Sequence, residues 1–95
     1  MPSHMPYYVY ILRCADNRHY YGSTGDLSRR LAEHREGLTP WTAARRPVEL
    51  VYFEECKTSA QARQRERALK SGRTRAKAIE RMISDFPPHR LAPFA

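Results

Sequence analysis

The 95 residues fit one domain with a modest hydrophobic core and leave no room for a second folded domain of ordinary size. With 17 Lys and Arg residues against 10 Asp and Glu residues, the formal charge of +7 draws the protein toward polyanions such as nucleic acid. No run approaches the roughly 20 apolar residues of a membrane span, no signal-peptide pattern opens the chain, and two cysteines are too few for a disulfide framework. We therefore expect a cytoplasmic protein with no membrane partner, of an oligomeric state that composition does not indicate.

The first predicted element is a β-hairpin. Residues 7–14 are rich in aromatic and β-branched side chains, residues 15–18 are typical of a turn, and residues 20–22 resume the strand pattern. Residues 1–6 are predicted to be disordered or the remnant of a cloning tag, because Met5 could itself be a start residue.

A helix, a loop and a third strand follow. Asp26 is a typical N-cap and Gly37 a typical stop, so helical spacing between them predicts a helix over residues 26–36. Residues 38–47 have no clear period and are predicted to be a loop. Residues 48–53 predict a third strand, whose longer apolar run favours a central position in the sheet.

The remainder of the chain is predicted to be helical up to its last residues. Thr58 or Ser59 can cap a helix that runs to about residue 70, and a shorter helix follows over residues 74–83. Residues 85–95 are predicted to be an irregular tail.

These elements predict an α/β domain over residues 7–84. Their β-β-α-β-α-α order indicates a small three-stranded sheet with helices packed on it and with its first two strands antiparallel.

Two tyrosine motifs stand in the predicted hairpin. Residues 8–10 read Tyr-Val-Tyr, and residues 20–22 read Tyr-Tyr-Gly. Arg30 follows in the first predicted helix, His34 stands one turn later, and Glu66 lies in the next long helix. This pattern resembles the signature of the GIY-YIG nuclease superfamily.

The resemblance is greatest to small stand-alone bacterial GIY-YIG proteins and covers residues 7–83. Three segments that recur in those proteins are present here: Tyr-Val-Tyr-Ile-Leu-Arg-Cys at residues 8–14, Asp-Leu-x-Arg-Arg-Leu-x-x-His at 26–34, and Arg-Arg-Pro-Val-Glu-Leu-Val-Tyr at 45–52. The sequence departs from the superfamily at Ser23, where some relatives carry a lysine. It also has no asparagine downstream of Glu66.

The resemblance implies a metal-dependent endonuclease that acts on single-stranded or structured DNA, in repair, recombination or uptake. Glu66 would hold Mg²⁺ or Mn²⁺, and Arg30 would clamp the scissile phosphate. Tyr10 and Tyr20 would position the attacking water or accept its proton, with His34 as the rival acceptor. A tyrosine of ordinary pKa ~10 is a poor base at neutral pH, so we expect Arg30 and the metal to lower that pKa.

Each candidate also has a structural interpretation. Tyr10 could be a core aromatic, and Glu66 could pair with Arg63 or Lys70 on its own helix. His34 could cap a helix end. Trp41 could stack on a base or cover the core.

Basic residues are concentrated toward the C-terminal half. Between residues 57 and 81, nine basic residues stand against two acidic ones, more imbalance than solvation requires. The predicted nucleic-acid-binding residues are Arg45, Arg46, Arg63, Arg65, Arg67, Lys70 and Arg73. They fit the nuclease hypothesis, and they fit equally a catalytically weak nucleic-acid-binding module with the same fold.

Overall fold

The structure is a computed structural model that describes residues 5–72 and 76–95. The chain forms β1 (Tyr7–Arg13), β2 (His19–Thr24), α1 (Leu27–Arg35), α2 (Pro40–Ala43), β3 (Glu49–Cys56), α3 (Ser59–Lys70), α4 (Ala76–Asp85), α5 (Pro88–Leu91) and a 3₁₀ turn (Ala92–Phe94). The predicted α/β architecture, a three-stranded sheet with helices packed against it, is confirmed. No helix among the described residues is both long and apolar enough to cross a membrane.

The sheet has the order β2-β1-β3, with β1 antiparallel to both neighbours. Residues 9–12 of β1 are completely buried. The prediction that the third strand is central is therefore wrong. Helices cover both faces of the sheet, so the edge strand β3 is apolar on both faces and its sequence resembles that of a central strand.

Alternate residues of β1 enter two separate cores. Tyr10 and Leu12 pack with Leu27 and Leu31 of α1. On the other face, Val9 and Ile11 pack with Leu69 of α3 and Ile79 of α4. The sheet thus separates α1 from α3 and α4.

Local sequence signals explain the turns and helix starts. Asn17 adopts a φ of 66° in the hairpin turn, a conformation that asparagine tolerates better than most residues. The Asp26 side chain accepts a hydrogen bond of 3.0 Å from the backbone N–H of Arg29, as predicted for an N-cap. Thr58, rather than Ser59, caps α3 through the N–H of Gln61 at 3.1 Å.

Two segments are more ordered than predicted. The predicted loop over residues 38–47 contains α2, and the tail over residues 85–95 forms α5 and the 3₁₀ turn instead of irregular chain. The rings of Phe86 and Phe94 lie 5.1 Å and 5.4 Å from that of Phe53, so burial of aromatic side chains orders the tail. The predicted start of the last long helix at residue 74 and the predicted disorder of residues 1–4 lie outside the described residues.

Candidate active site

The hydroxyl of Tyr10 lies over Gly22 on the neighbouring strand. The two residues are directly paired between β1 and β2, and a Cβ added at Gly22 would stand 2.4 Å from the Tyr10 hydroxyl oxygen. Since no side chain tolerates so short a contact, the glycine of the second tyrosine motif makes room for the tyrosine of the first.

A chain of buried hydrogen bonds runs from Tyr10 into α2. The Tyr10 hydroxyl lies 2.9 Å from His34 Nε2, and His34 Nδ1 lies 2.9 Å from Thr42 Oγ1. The Thr42 hydroxyl donates its own hydrogen to the Thr39 carbonyl at 3.2 Å, so it accepts from Nδ1–H of His34. Neutral His34 is then an acceptor at Nε2, and Tyr10 donates to it. Tyr10, His34 and Thr42 are all completely buried.

Burial controls the protonation of this chain. Burial, assisted by the positive charge of Arg30, lowers the pKa of His34 from 6.5 to about 4, so the imidazole is neutral at physiological pH. Burial, with a contribution from Tyr20, raises the pKa of Tyr10 above its ordinary value although Arg30 acts in the opposite direction. Arg30 thus acts in the expected direction, but burial outweighs it, so the pKa of Tyr10 is raised and not lowered.

The lowered pKa of His34 predicts acid sensitivity of the fold. Between pH 6.5 and about 4 the unfolded chain binds a proton at His34 that the folded chain does not, so the free energy of unfolding should fall as the pH is lowered through this range. Urea denaturation at several pH values should show this dependence in the wild type and a weaker one in His34→Gln. His89→Gln makes the same change at an exposed position of α5 and is the control. An unchanged pH dependence in His34→Gln would contradict the prediction.

Arg30 lies beside both motif tyrosines. Its Nη1 donates to Glu33 Oε1 at 3.0 Å, one turn along α1. Although burial opposes the charged form, the bond to Glu33 and the hydroxyls of Tyr10 and Tyr20 raise the pKa of Arg30, which stays positive. The bond to Arg30 in turn lowers the pKa of Glu33. Glu33 was not among the predicted site residues, although its spacing of three residues from Arg30 was a signal.

Glu66 extends from α3 to β2. Its Oε1 accepts from the Ser23 hydroxyl at 2.7 Å, and its Oε2 lies 2.6 Å from the Lys70 ammonium. Its negative charge also makes a small contribution to the raised pKa of Tyr10, after burial and Tyr20. The predicted ion pair of Glu66 with Lys70 is thus present. Ser23, the site of a departure from some relatives, bonds the carboxylate directly.

The chemistry of the donor set decides whether a metal ion fits. Among the described residues, no group of three or more His, Cys, Asp or Glu side chains could hold one. Glu66, with 20 % of its side chain exposed, and the Ser23 hydroxyl offer hard oxygen donors. These two oxygen donors suit Mg²⁺ or Mn²⁺ if water and substrate phosphate supply the other ligands. The Lys70 ammonium would have to leave Glu66 Oε2 for that oxygen to bind the ion.

Tyr20 completes the group. Its ring centroid lies 4.8 Å from that of His34 and 6.2 Å from that of Tyr10. The structure therefore brings four of the five predicted site residues together, Tyr10, Tyr20, Arg30 and His34, and holds Glu66 at Ser23 of β2.

Comparison with known proteins agrees with this geometry. The family described as the GIY-YIG catalytic domain matches residues 6–78. The chain belongs to the GIY-YIG family. The UPF0213 protein of Desulfotalea psychrophila is 40 % identical over 94 residues, covering 90 % of this chain and 86 % of the relative. The UPF0213 protein of Natronomonas pharaonis is 45 % identical over 80 residues, covering 83 % and 92 %.

A solved structure shares this GIY-YIG fold. The solution NMR structure of the UPF0213 protein BH0048 from Bacillus halodurans has a TM-score of 0.56 and 30 % sequence identity, and the match covers 93 % of this chain and 94 % of that chain. Similarity thus extends over nearly the whole length of both proteins.

The predicted nucleic-acid-binding arginines of this GIY-YIG protein have different environments. The Arg65 guanidinium donates through Nε and Nη2 to the Glu54 carboxylate at 3.0 Å, and Arg46 donates to the backbone carbonyls of Arg35 and Ala43 at 3.2 Å. Arg45 forms an ion pair of 3.3 Å with Asp16. These three guanidinium groups are engaged within the protein.

The other predicted contacts differ again. Arg63 and Arg67 are exposed, one turn apart on α3. Lys70 is the partner of Glu66, and Arg73 lies outside the described residues.

Two surface clefts meet at the turn between β2 and α1. One, of about 270 Å³, is lined by residues that include Ser23, Thr24, Gly25 and Arg63. The other, of about 290 Å³, is lined by Thr24, Gly25, Asp26, Arg29, Arg30 and Glu33. The Glu66 partner Ser23 thus faces one cleft and Arg30 the other.

Proposed function

We propose that this chain is a metal-dependent endonuclease that hydrolyses phosphodiester bonds in single-stranded or structured DNA. The observation that carries the proposal is the 2.9 Å hydrogen bond between Tyr10 and neutral His34, beside the Arg30 cation. To this proton acceptor and phosphate-binding cation, Glu66 at Ser23 of β2 adds a hard metal ligand.

The reaction assigns a task to each side chain. Water loses a proton to the Tyr10 oxygen while the Tyr10 hydroxyl proton passes to His34 Nε2. The water oxygen bonds to phosphorus, and the bond from phosphorus to the leaving oxygen breaks. Arg30 binds phosphoryl oxygens through charge-assisted hydrogen bonds. A divalent ion held by Glu66 would offset the negative charge on the phosphoryl and leaving oxygens.

Burial places a condition on this mechanism. Tyr10 exposes no surface, so substrate or metal binding must open a path for water to its hydroxyl. Tyr20, which is partly exposed, is the alternative base. Tyr10 is favoured because it is the motif tyrosine whose hydroxyl bonds a neutral imidazole.

The two clefts support DNA as the substrate. They meet beside Arg30 and Ser23, and Arg29 and Arg63 line their walls. Together with the charge of +7, these cations favour binding of the phosphate backbone, which carries no base sequence information. We propose a role in repair or recombination, where cleavage by structure rather than by sequence is useful.

A catalytically weak nucleic-acid-binding module is the second candidate. It is favoured by the 2.6 Å contact of Lys70 with Glu66, which occupies a metal-binding oxygen, and by the raised pKa of Tyr10. Both features oppose hydrolysis unless the substrate or metal changes them.

Incubation with labelled single-stranded, duplex and branched DNA separates the two candidates. We expect cleavage of single-stranded or branched DNA with Mg²⁺ or Mn²⁺ and none with a chelator. Binding of these DNAs without cleavage, with either metal, would refute the nuclease and leave the binding module.

Arginine substitutions test the path of the DNA. Arg63→Gln and Arg67→Gln should each weaken binding to every DNA and reduce the slope of log affinity against log salt by about 0.7 to 0.9 for each phosphate that the variant no longer neutralises. Arg65→Gln makes the same charge change on the same helix, but its guanidinium is held by Glu54, so we expect little change in slope. Titrations at several salt concentrations measure both. Equal slopes in all three variants and the wild type would show that this helix face is merely solvated.

A further inference from the structure

Trp41 is an exposed aromatic side chain at the border of the candidate active site. Its side chain remains 39 % exposed, and its ring centroid lies 6.0 Å from that of Tyr20. The next residue, Thr42, is completely buried and bonded to His34. The indole is therefore held at a fixed place on the surface by a residue that also belongs to the site.

Arg45 packs against the indole. Its guanidinium carbon stands 4.0 Å from the Trp41 ring centroid, and its Nη1 donates to the Trp41 carbonyl at 2.8 Å. The ion pair with Asp16 at 3.3 Å fixes it further. The Arg45 guanidinium thus packs against one face of the indole, and Trp41 as a residue remains 39 % exposed.

We propose that Trp41 is a stacking platform for an unpaired nucleobase of the DNA strand that enters the active site. A base offers a flat π surface of the same kind as the indole, and aromatic residues on positively charged surfaces hold single strands by such stacking. The net charge of +7 fits a polyanion rather than an apolar protein partner. This inference rests on the proposed function and adds the form of DNA that the site prefers.

The platform accounts for a preference between forms of DNA. A base inside a duplex already stacks on its neighbours and pairs with its partner, so it reaches the indole only after unstacking. A single strand, a flap or a branch point has bases free of that cost. Trp41, beside Tyr20 and therefore beside the candidate reaction centre, gives strands with an unpaired nucleotide near the scissile phosphate the higher affinity.

The chain offers its own reporter, because Trp41 is its sole tryptophan. The full-length protein is titrated in chelator, so that no cleavage occurs, with a thymidine oligonucleotide and with a fully abasic strand of the same length and charge. We expect thymidine to quench the Trp41 emission and the abasic strand to bind without quenching. Trp41→Leu should weaken thymidine binding by about 5- to 150-fold, as removal of one stacked base does, and leave abasic binding unchanged.

Two further variants complete the test. Their affinities for both strands are measured by the fluorescence anisotropy of labelled DNA. Trp41→Phe keeps an aromatic surface and should retain most of the thymidine affinity. Leu38→Ala, an exposed apolar residue just before α2, is the matched control and should change nothing. Equal quenching by both strands, equal weakening of both in Trp41→Leu, or absence of thymidine binding would overturn the inference. Base-dependent quenching without cleavage in metal would uphold it and refute the nuclease.

Discussion

Glu66→Ala and Glu66→Gln are expected to abolish metal-dependent cleavage while leaving DNA affinity nearly intact. Either substitution removes the carboxylate that would hold the ion, and neither removes a cation that binds phosphate. The loss of several kcal/mol of charge stabilisation corresponds to a fall in rate of roughly 10² to 10⁴. Single-turnover cleavage at saturating metal, with binding measured in chelator, checks both parts.

Further variants separate the metal ligand from the ion pair. Glu66→Gln keeps an oxygen that can accept from Ser23, so the hydrogen bond to β2 survives. Glu55→Gln makes the same charge change at an exposed position of β3, at the opposite edge of the sheet, and should leave cleavage unchanged. Lys70→Gln removes the ammonium from Oε2 and should lower the metal concentration needed for cleavage. Undiminished turnover in Glu66→Gln at saturating metal would show that Glu66 is not the metal ligand.

The sequence was sufficient for the elements that local chemistry determines. Asp26 and Thr58 cap helices because their own oxygens reach backbone N–H groups three residues away, which needs no knowledge of the fold. The motif spacing likewise placed Tyr10 and Tyr20 on paired strands, and Arg30 and His34 on one helix. Family resemblance supplied Glu66, whose apolar neighbours argued against a solvated carboxylate and left an ion pair with Arg63 or Lys70 as the alternative.

Long-range packing explains what the sequence did not predict. The central position of β1 depends on which strands pair, and the apolar run of β3 pointed to the wrong strand. Thr42 stood in a segment without periodicity, and only the approach of α2 to α1 shows that its hydroxyl fixes the tautomer of His34. The environment of Arg65 was similarly hidden, because Glu54 lies on a different element.

Tyr10→Phe is expected to lower the rate of the chemical step by roughly 10² to 10⁴ and the free energy of unfolding by about 1 to 3 kcal/mol, because buried His34 Nε2 loses its donor. The ring still fills the core beside Gly22, and only the hydroxyl that donates to His34 is removed. Tyr20→Phe is the matched control, because it removes the hydroxyl of the neighbouring ring at the same site. If Tyr20 is the base instead, the larger loss will appear in that variant.

The pH dependence tests the role of His34. With a pKa of about 4, His34 stays neutral from pH 6 to 9, so its titration should not limit the rate there. Below about pH 5 a protonated imidazole cannot accept from Tyr10, and the rate should fall. The structure therefore moves the expected inflection below the value near 6 to 7 that an unperturbed histidine would give.

Thr42 distinguishes a proton acceptor from a structural histidine. Thr42→Val keeps the shape but removes the oxygen that accepts from Nδ1–H, so the tautomer with Nε2 free loses its support and the rate should fall. Thr42→Ser retains the hydroxyl and should retain most of the rate. Full activity in Tyr10→Phe and Tyr20→Phe, together with an inactive but folded His34→Gln, would instead make His34 the base that contacts water directly. Equal activity in Thr42→Val and Thr42→Ser would show that the His34 tautomer fixed by Thr42 does not affect the rate.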